Sequence, residues 1–250
     1  MAKWWHVRTK FAFALLSIFC GLGLLGFASG LVYLQLRPWN LARDTGRENP
    51  QTNQIPIALA DQSSAPLSGT RVSGHGFSIG TPWQTIESQD DQKSFSTLFF
   101  KDGPTLEIKN ETEWTRFASL FRKDPRFVRL LGEDTLRSEF ALMRAEMYAT
   151  PDQVKWWKFP PQNLRAMNLV NWKSVHCNEY GTIHAVSFGR IHGFQEGEPN
   201  VAPYKIALNL FDPDDRHYEI SITGEEGKPL PLTQAQLNSM IASIQPDPTK

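Results

Sequence analysis

Residues 204–223 read YKIALNLFDPDDRHYEISIT, and this stretch decides the fold. Ile206, Leu208 and Leu210 alternate with smaller or polar residues, and Tyr218, Ile220 and Ile222 repeat the pattern. A period of two marks strands with one buried face. Between the two runs, Asp212-Pro213-Asp214-Asp215 supplies the residue types of a turn. Two strands joined by so short a connection run antiparallel.

Working outward, Thr233 and Gln236 have capping-box spacing ahead of a stripe of Leu237, Met240, Ile241 and Ile244, which predicts a closing helix. On the other side, Thr182 to Phe194 predicts a further strand. Ser96–Lys101 and Thr105–Lys109 flank Asp102-Gly103-Pro104 as a hairpin. Phe77 and Ile79 predict a first strand that ends at Gly80-Thr81-Pro82.

The period between these strands is helical. Trp114, Phe117, Ala118 and Phe121 share one face, with Asn110 and Glu113 as a capping-box start and Asp124-Pro125 as the stop. A second helix is expected from about Thr135 to Tyr148, capped by Asp134, with Leu136, Phe140, Met143 and Met147 on one face. A third, shorter helix is expected from Thr150, stopping before Pro160-Pro161. Residues 162–175 show no decisive period. Segregated strands and helices predict an α+β fold, an antiparallel sheet with helices packed on it in an α/β/α sandwich-like arrangement.

This order resembles the Mog1/PsbP-like superfamily. The resemblance is carried by Phe77-Ser78-Ile79 running to Pro82-Trp83, and by the paired strands and closing helix that end in Ile241-Ala242-Ser243-Ile244. It covers about residues 75–245 and rests on pattern. Members of that superfamily are mostly binding or assembly factors without shared catalytic residues. The resemblance therefore implies an interaction module and carries over no site.

The N-terminal region has a different character. From Phe11 to Leu36 the chain reads FAFALLSIFCGLGLLGFASGLVYLQL, with no charge. A helix of about 20 apolar residues crosses a hydrocarbon core of ~30 Å. Trp4 and Trp5 on one side, and Tyr33 and Trp39 on the other, suit the two interfaces. The expectation is a tail at 1–10, a single-pass signal-anchor helix at 11–36, a flexible linker at 37–74 and a globular domain at 75–250. A cleaved signal peptide has a shorter apolar core of about 7–15 residues, which favours the anchor. Phe19 before Cys20 does not suit a lipidation site. Lys3, Arg8, Lys10 and the amino terminus precede the run, and Arg37, Arg43 and Arg47 follow it. This slight positive-inside bias, with a short tail ahead of a long domain, predicts the N-terminus inside and the domain outside the cytoplasm, periplasmic in a bacterium. Gly26 and Gly30 have a spacing that lets membrane helices approach each other.

Lysine plus arginine equal aspartate plus glutamate, and a net charge of zero excludes a general nucleic-acid binder. The only two cysteines, Cys20 and Cys177, fall in segments that would not meet. His176, His184 and His192 recur every eight residues, with His217 further on. On one straight strand His184 and His192 would lie ~27 Å apart. Zinc ligands sit about 2 Å from one ion, so no metal or other cofactor is expected. No G-x-S-x-G elbow or other catalytic motif is present. Trp156, Trp157 and Phe159 are the candidate interaction surface, because consecutive helical residues turn about 100° apart and one indole would face outward. The leading expectation is a membrane-tethered, non-catalytic interaction or assembly module with an envelope protein partner. The alternatives are a membrane-anchored, hydrolase-like enzyme using His176, His184 or His192, and a small-ligand carrier.

Overall fold

The strand pair within 204–223 lies in the middle of an eight-stranded sheet. The computed structural model describes residues 30, 32–33, 36–74, 76–101, 103–109, 116–155, 157–158, 160–177 and 180–247. Its strands are β1 (Ile57–Ala58), β2 (Arg71–Gly74), β3 (Phe77–Gly80), β4 (Ile86–Asp91), β5 (Phe95–Phe100), β6 (Thr105–Lys109), β7 (Ile183–Phe188), β8 (Ile191–Glu196), β9 (Lys205–Phe211), β10 (His217–Thr223) and β11 (Gln245–Pro246). The large sheet has the order β1-β7-β8-β9-β10-β6-β5-β4, and β11-β3-β2 form a small second sheet. Every pairing in the large sheet is antiparallel except that of β1 with β7.

The helices are α1 (residues 36–48), α2 (Phe117–Phe121), α3 (Pro125–Leu131), α4 (Glu133–Leu136), α5 (Glu139–Met147), α6 (Pro160–His176) and α7 (Gln234–Ala242). The fold is thus mixed α+β, with a large, mostly antiparallel sheet and helices packed on it. The two faces of that sheet bury different things. Leu106, Ile108, Ile206, Leu208, Leu210, Tyr218, Ile220 and Ile222 form one core with β2, β3 and α7. On the opposite face Phe194 and Phe211 pack with Met143 of α5, Met147 and Cys177. A third cluster lies among the helices themselves.

Several expected elements shift, each for a local reason. The single strand over 182–194 is a hairpin, because Gly189 takes a φ of 60° and turns the chain between β7 and β8. The helix over 135–148 breaks at Ser138, which is extended (φ −153°, ψ 162°) and accepts the Ala141 amide at 2.9 Å, restarting the helix as α5. Asp124-Pro125 ends α2 and also starts α3: the Asp124 carboxylate accepts the Arg126 amide while proline occupies the first turn. The helix expected from Thr150 is only a 3-10 turn at Pro151–Gln153. Pro160-Pro161 open the seventeen-residue α6 rather than stopping a helix, since a first turn needs no intrahelical N–H donors.

The expected linker, 37–74, is packed against the domain over much of its length. Thr45 Oγ1 lies 3.2 Å from Asn171 Oδ1, and Asn49 Nδ2 donates to the Ser174 carbonyl at 3.2 Å, tying α1 to α6. Thr52 is fully buried, and Leu59 and Val72 belong to the main core. Pro56 fits because β1 is an edge strand, where no ladder donor is required. Among the described residues no helix is long and apolar enough to cross a membrane. Most of the run expected to span, 11–36, lies outside the described residues, as does Gly26. Gly30 is described, is helical and is exposed, with open space around its Cα.

Candidate functional site

The strand residues that do not feed the main core point toward the helices. On β6, β9 and β10 the alternation that buries Ile108, Leu208 and Ile220 on one face places Lys109, Asn209, Phe211, His217 and Glu219 on the other. Helices α2, α5 and α6 stand over that face and leave a cleft of about 170 Å³. Glu139, Leu142, Met143 and Glu146 line it from α5, Val175 and His176 from α6, and Phe117 from α2.

Polar groups in the cleft are paired. His176 Nδ1 is 2.7 Å from Glu146 Oε2, bridging α6 and α5. Lys109 Nζ donates to Glu219 Oε1 at 2.5 Å across β6 and β10. His217 Nε2 is 3.1 Å from Asn209 Oδ1, and its ring stacks on Phe211 at 4.7 Å. Glu139 accepts the backbone amides of Ala118 and Ser119 at 2.8 and 3.0 Å, which positions α2 at the rim.

These neighbours set the charges. Burial works against protonated His176, but the hydrogen bond and charge of Glu146 outweigh it and raise the imidazole pKa. For His217 burial dominates and lowers the pKa to about 4, so this ring is neutral at pH 7. Lys109 is partly desolvated, yet Glu219 and Glu107 raise its pKa. The cleft thus presents a carboxylate–imidazole pair whose imidazole is biased toward protonation, an ammonium–carboxylate pair and a neutral imidazole. None of the described lining residues carries a hydroxyl or thiol.

Beside this polar cleft lies an apolar slot of about 150 Å³, lined by Phe117, Phe121, Trp172 and Val175 and sharing Glu146 and His176 with it. Phe121 stacks on Trp172 at 5.0 Å and on Phe127 at 4.3 Å. Val175 is 79% exposed on the wall common to both.

The residues singled out from sequence do not converge. Of the three regularly spaced histidines, His176 alone enters the cleft. His184 lies opposite Gln195 and His192 opposite Ser187, which puts the two on opposite faces of the hairpin. His184 Nε2 meets Glu198 Oε1 at 3.0 Å, and His192 packs edge-on against Phe140. Cys177, next to His176, is buried with its Sγ 3.7 Å from Met147 Sδ, and burial raises its thiol pKa. Among the described residues no group of three or more His, Cys, Asp or Glu could hold a metal ion. Trp157 is 63% exposed, with Lys155 Nζ 5.8 Å from its ring; Trp156 and Phe159 lie outside the described residues. Lys109, Glu139, Glu146, Asn209 and Glu219 were missed from sequence. Their only signal was the polar half of each strand's alternation and two carboxylates on α5, which suit solvent equally well.

No protein-family model, no curated protein and no solved structure matches this chain.

Proposed function

We propose that the chain is a membrane-tethered, non-catalytic interaction module, and that it grips a segment of an envelope protein partner at the cleft between α5, α6 and the sheet. The observation that carries this reading is the shared wall of His176, Glu146, Phe117 and Val175 between a charged cleft and an aromatic slot. An apolar anchor pocket beside a few oriented polar groups is the geometry of a recognition hot spot. The slot suits one apolar side chain. The cleft, in which Glu139, Glu146 and Glu219 face Lys109 and His176, suits a polar or cationic neighbour of that side chain. The resemblance to binding and assembly factors and the uncharged run at 11–36 support the same reading.

The test is photo-crosslinking of the full chain in its own membranes from position 175. One dominant partner is expected, lost when Trp172→Ala empties the slot and weakened by Lys109→Gln. Capture that is indifferent to both substitutions, in variants that melt like the parent, overturns the proposal.

One observation favours a second reading, a hydrolase-like enzyme. The Glu146–His176 pair is a carboxylate-oriented imidazole facing a cavity, an arrangement able to move a proton. Turnover of a small ester or phosphoester by the full chain, abolished by His176→Asn, would decide for it.

A further inference from the structure

A second concave site lies where α1 meets the turn at Pro151–Lys155. Trp39, Arg43, Gly46 and Arg47 line it from α1, and Asn53, Asp152 and Lys155 face them. The volume is about 390 Å³, and three cations face the single lining carboxylate of Asp152. Asp44 also stands 3.8 Å from Arg47, an exposed pair of little strength.

The walls are built rather than incidental. Gly46 packs so closely that a Cβ there would meet Pro151 Cγ at 2.8 Å and Asn53 Oδ1 at 3.0 Å. The carbonyls at this end of α1 are already engaged: Gly46 O accepts from Asn53 Nδ2 at 2.7 Å, and Thr45 O from the Asn49 amide at 2.8 Å. The site therefore presents its cations and no free helix-end acceptors from those two residues. Asn163, fully buried, accepts the Lys155 amide at 3.1 Å and donates to the carbonyls of Lys155 and Lys158, which pins the opposite wall. Arg43 sits 5.4 Å from the Trp39 ring and Lys155 5.8 Å from the exposed Trp157 ring.

Position in the chain says what such a site would meet. Trp39 lies three residues beyond the uncharged run that ends at Leu36. At a helical rise of 1.5 Å per residue, Arg43 stands about 10 Å past that end. Headgroup regions extend roughly 5–8 Å beyond each side of the hydrocarbon core, so Trp39 falls within that layer, and Arg43 lies just beyond it with a long side chain that leans back along the helix toward the bilayer. Indole rings prefer that level, and arginine and lysine there are drawn to anionic lipid.

We propose that this pocket binds the phosphate of an anionic phospholipid headgroup, with Arg43, Arg47 and Lys155 as its cationic ligands and Trp39 and Trp157 lying at the headgroup level, so that the domain is held against the bilayer surface. The inference rests on the membrane-tether part of the proposed function and is independent of the partner cleft.

The test uses the full chain released from vesicles of mixed phosphatidylcholine and phosphatidylglycerol, with retained lipid counted by native mass spectrometry. Phosphatidylglycerol should be retained about ten-fold over phosphatidylcholine, as expected when two or more cations engage an anionic lipid. Arg43→Gln with Lys155→Gln should abolish the preference, while Arg43→Lys with Lys155→Arg should keep it in a protein of the same melting temperature. Arg190→Gln with Lys228→Gln, which removes two exposed cations elsewhere, should leave it intact. Equal retention of the two lipids, or a preference that survives the first double variant, overturns the proposal. Competition by millimolar inorganic phosphate as effective as the lipid would make this a free-phosphate site and overturn the lipid assignment. A chain recovered in the soluble fraction without detergent would instead overturn the tether itself.

Discussion

Asp215 caps helix α5 from a different layer of the fold: its carboxylate accepts the backbone amides of Glu139 at 2.7 Å and Phe140 at 3.0 Å. Asp215 sits in the turn between β9 and β10 with a φ of 61°, a left-handed conformation that few residues other than glycine, asparagine and aspartate adopt cheaply. Glu139 then caps α2 with its own side chain, through the amides of Ala118 and Ser119. This relay of caps fixes the helices over the sheet and sets the width of the cleft.

Asp215→Ala removes two capping bonds and leaves a Cβ residue in a left-handed backbone. The expected loss is about 1–3 kcal/mol, from a lost cap plus left-handed strain. Asp215→Asn, which keeps an acceptor and tolerates the backbone, should lose less. Denaturant unfolding of the two variants checks the order; equal effects would mean that the capping charge and geometry do not matter.

The cleft histidines predict opposite pH limits. His176 has a raised pKa in the folded state, so its contribution is fully present below the usual imidazole value of 6.5 and is lost as pH rises through the folded value. Glu146→Gln should remove that alkaline dependence. His217 has a pKa lowered to about 4, so its contribution is present above 6.5 and is lost as pH falls toward 4, because the unfolded chain protonates first. Denaturation midpoints followed across this range, together with NMR titration of each imidazole, separate the two. A His176 that titrates below the ordinary value would contradict the geometry.

The sheet and the closing helix were legible because their burial is one-sided. Ile206, Leu208, Leu210, Tyr218, Ile220 and Ile222 all lie in the core, and Thr233 with Gln236 forms the capping box its spacing predicts. The helical third was harder, since capping chemistry outranks hydrophobic period there. Ser138 cuts a stripe that Leu136 and Phe140 would continue, and Asp124-Pro125 both ends one helix and begins another. The site was the least legible part. Lys109 and Glu219 alternate out of strands as solvent-facing residues would, and only the packing of α5 and α6 on that face makes them a cleft. The eightfold spacing of histidines carried no geometric meaning once Gly189 folded the strand back on itself.

Lys173 predicts how the N-terminal strap is held. Its side chain is completely buried, and its Nζ donates to the carbonyls of Ala149 at 3.0 Å, Thr52 at 3.4 Å and Gln54. Burial lowers its pKa to about 8. Lys173→Met relieves a desolvated cation and orphans three carbonyls, each of which costs about 1–3 kcal/mol if left unsatisfied. The two effects offset globally but not locally. Hydrogen exchange at residues 50–59 should therefore accelerate far more than the melting temperature falls, and unchanged exchange there would show that the strap is held by other contacts.

Gly193 of β8 lies opposite Leu210 of β9. A Cβ at that position would sit 2.0 Å from the Asn209 carbonyl oxygen and 2.8 Å from Leu210 Cα. These are backbone atoms of β9, which cannot swing away as a side chain would. Gly193→Ala should cost about 3 kcal/mol or more, beyond ordinary overpacking. It should also disturb Asn209 in the cleft wall, which shows as a shifted His217 titration. A fully stable Gly193→Ala protein would mean that β8 and β9 separate more easily than their register implies.

Cys177 tests the choice between binding and nucleophilic chemistry. It follows His176 directly, so a thiolate there would give the cleft a nucleophile beside an imidazole. The structure turns it the other way, into the cluster of Met147, Ile183, Phe194 and Phe211, where burial disfavours the thiolate and the charge of Glu196 disfavours it further. Only the thiolate reacts readily with electrophiles. In the native full chain, maleimide at neutral pH should leave Cys177 unlabelled and should label it on unfolding, with peptide mapping to distinguish it from Cys20. Rapid native labelling would place a reactive sulfur within reach of the Glu146–His176 pair and would move the balance from a binding module toward an enzyme.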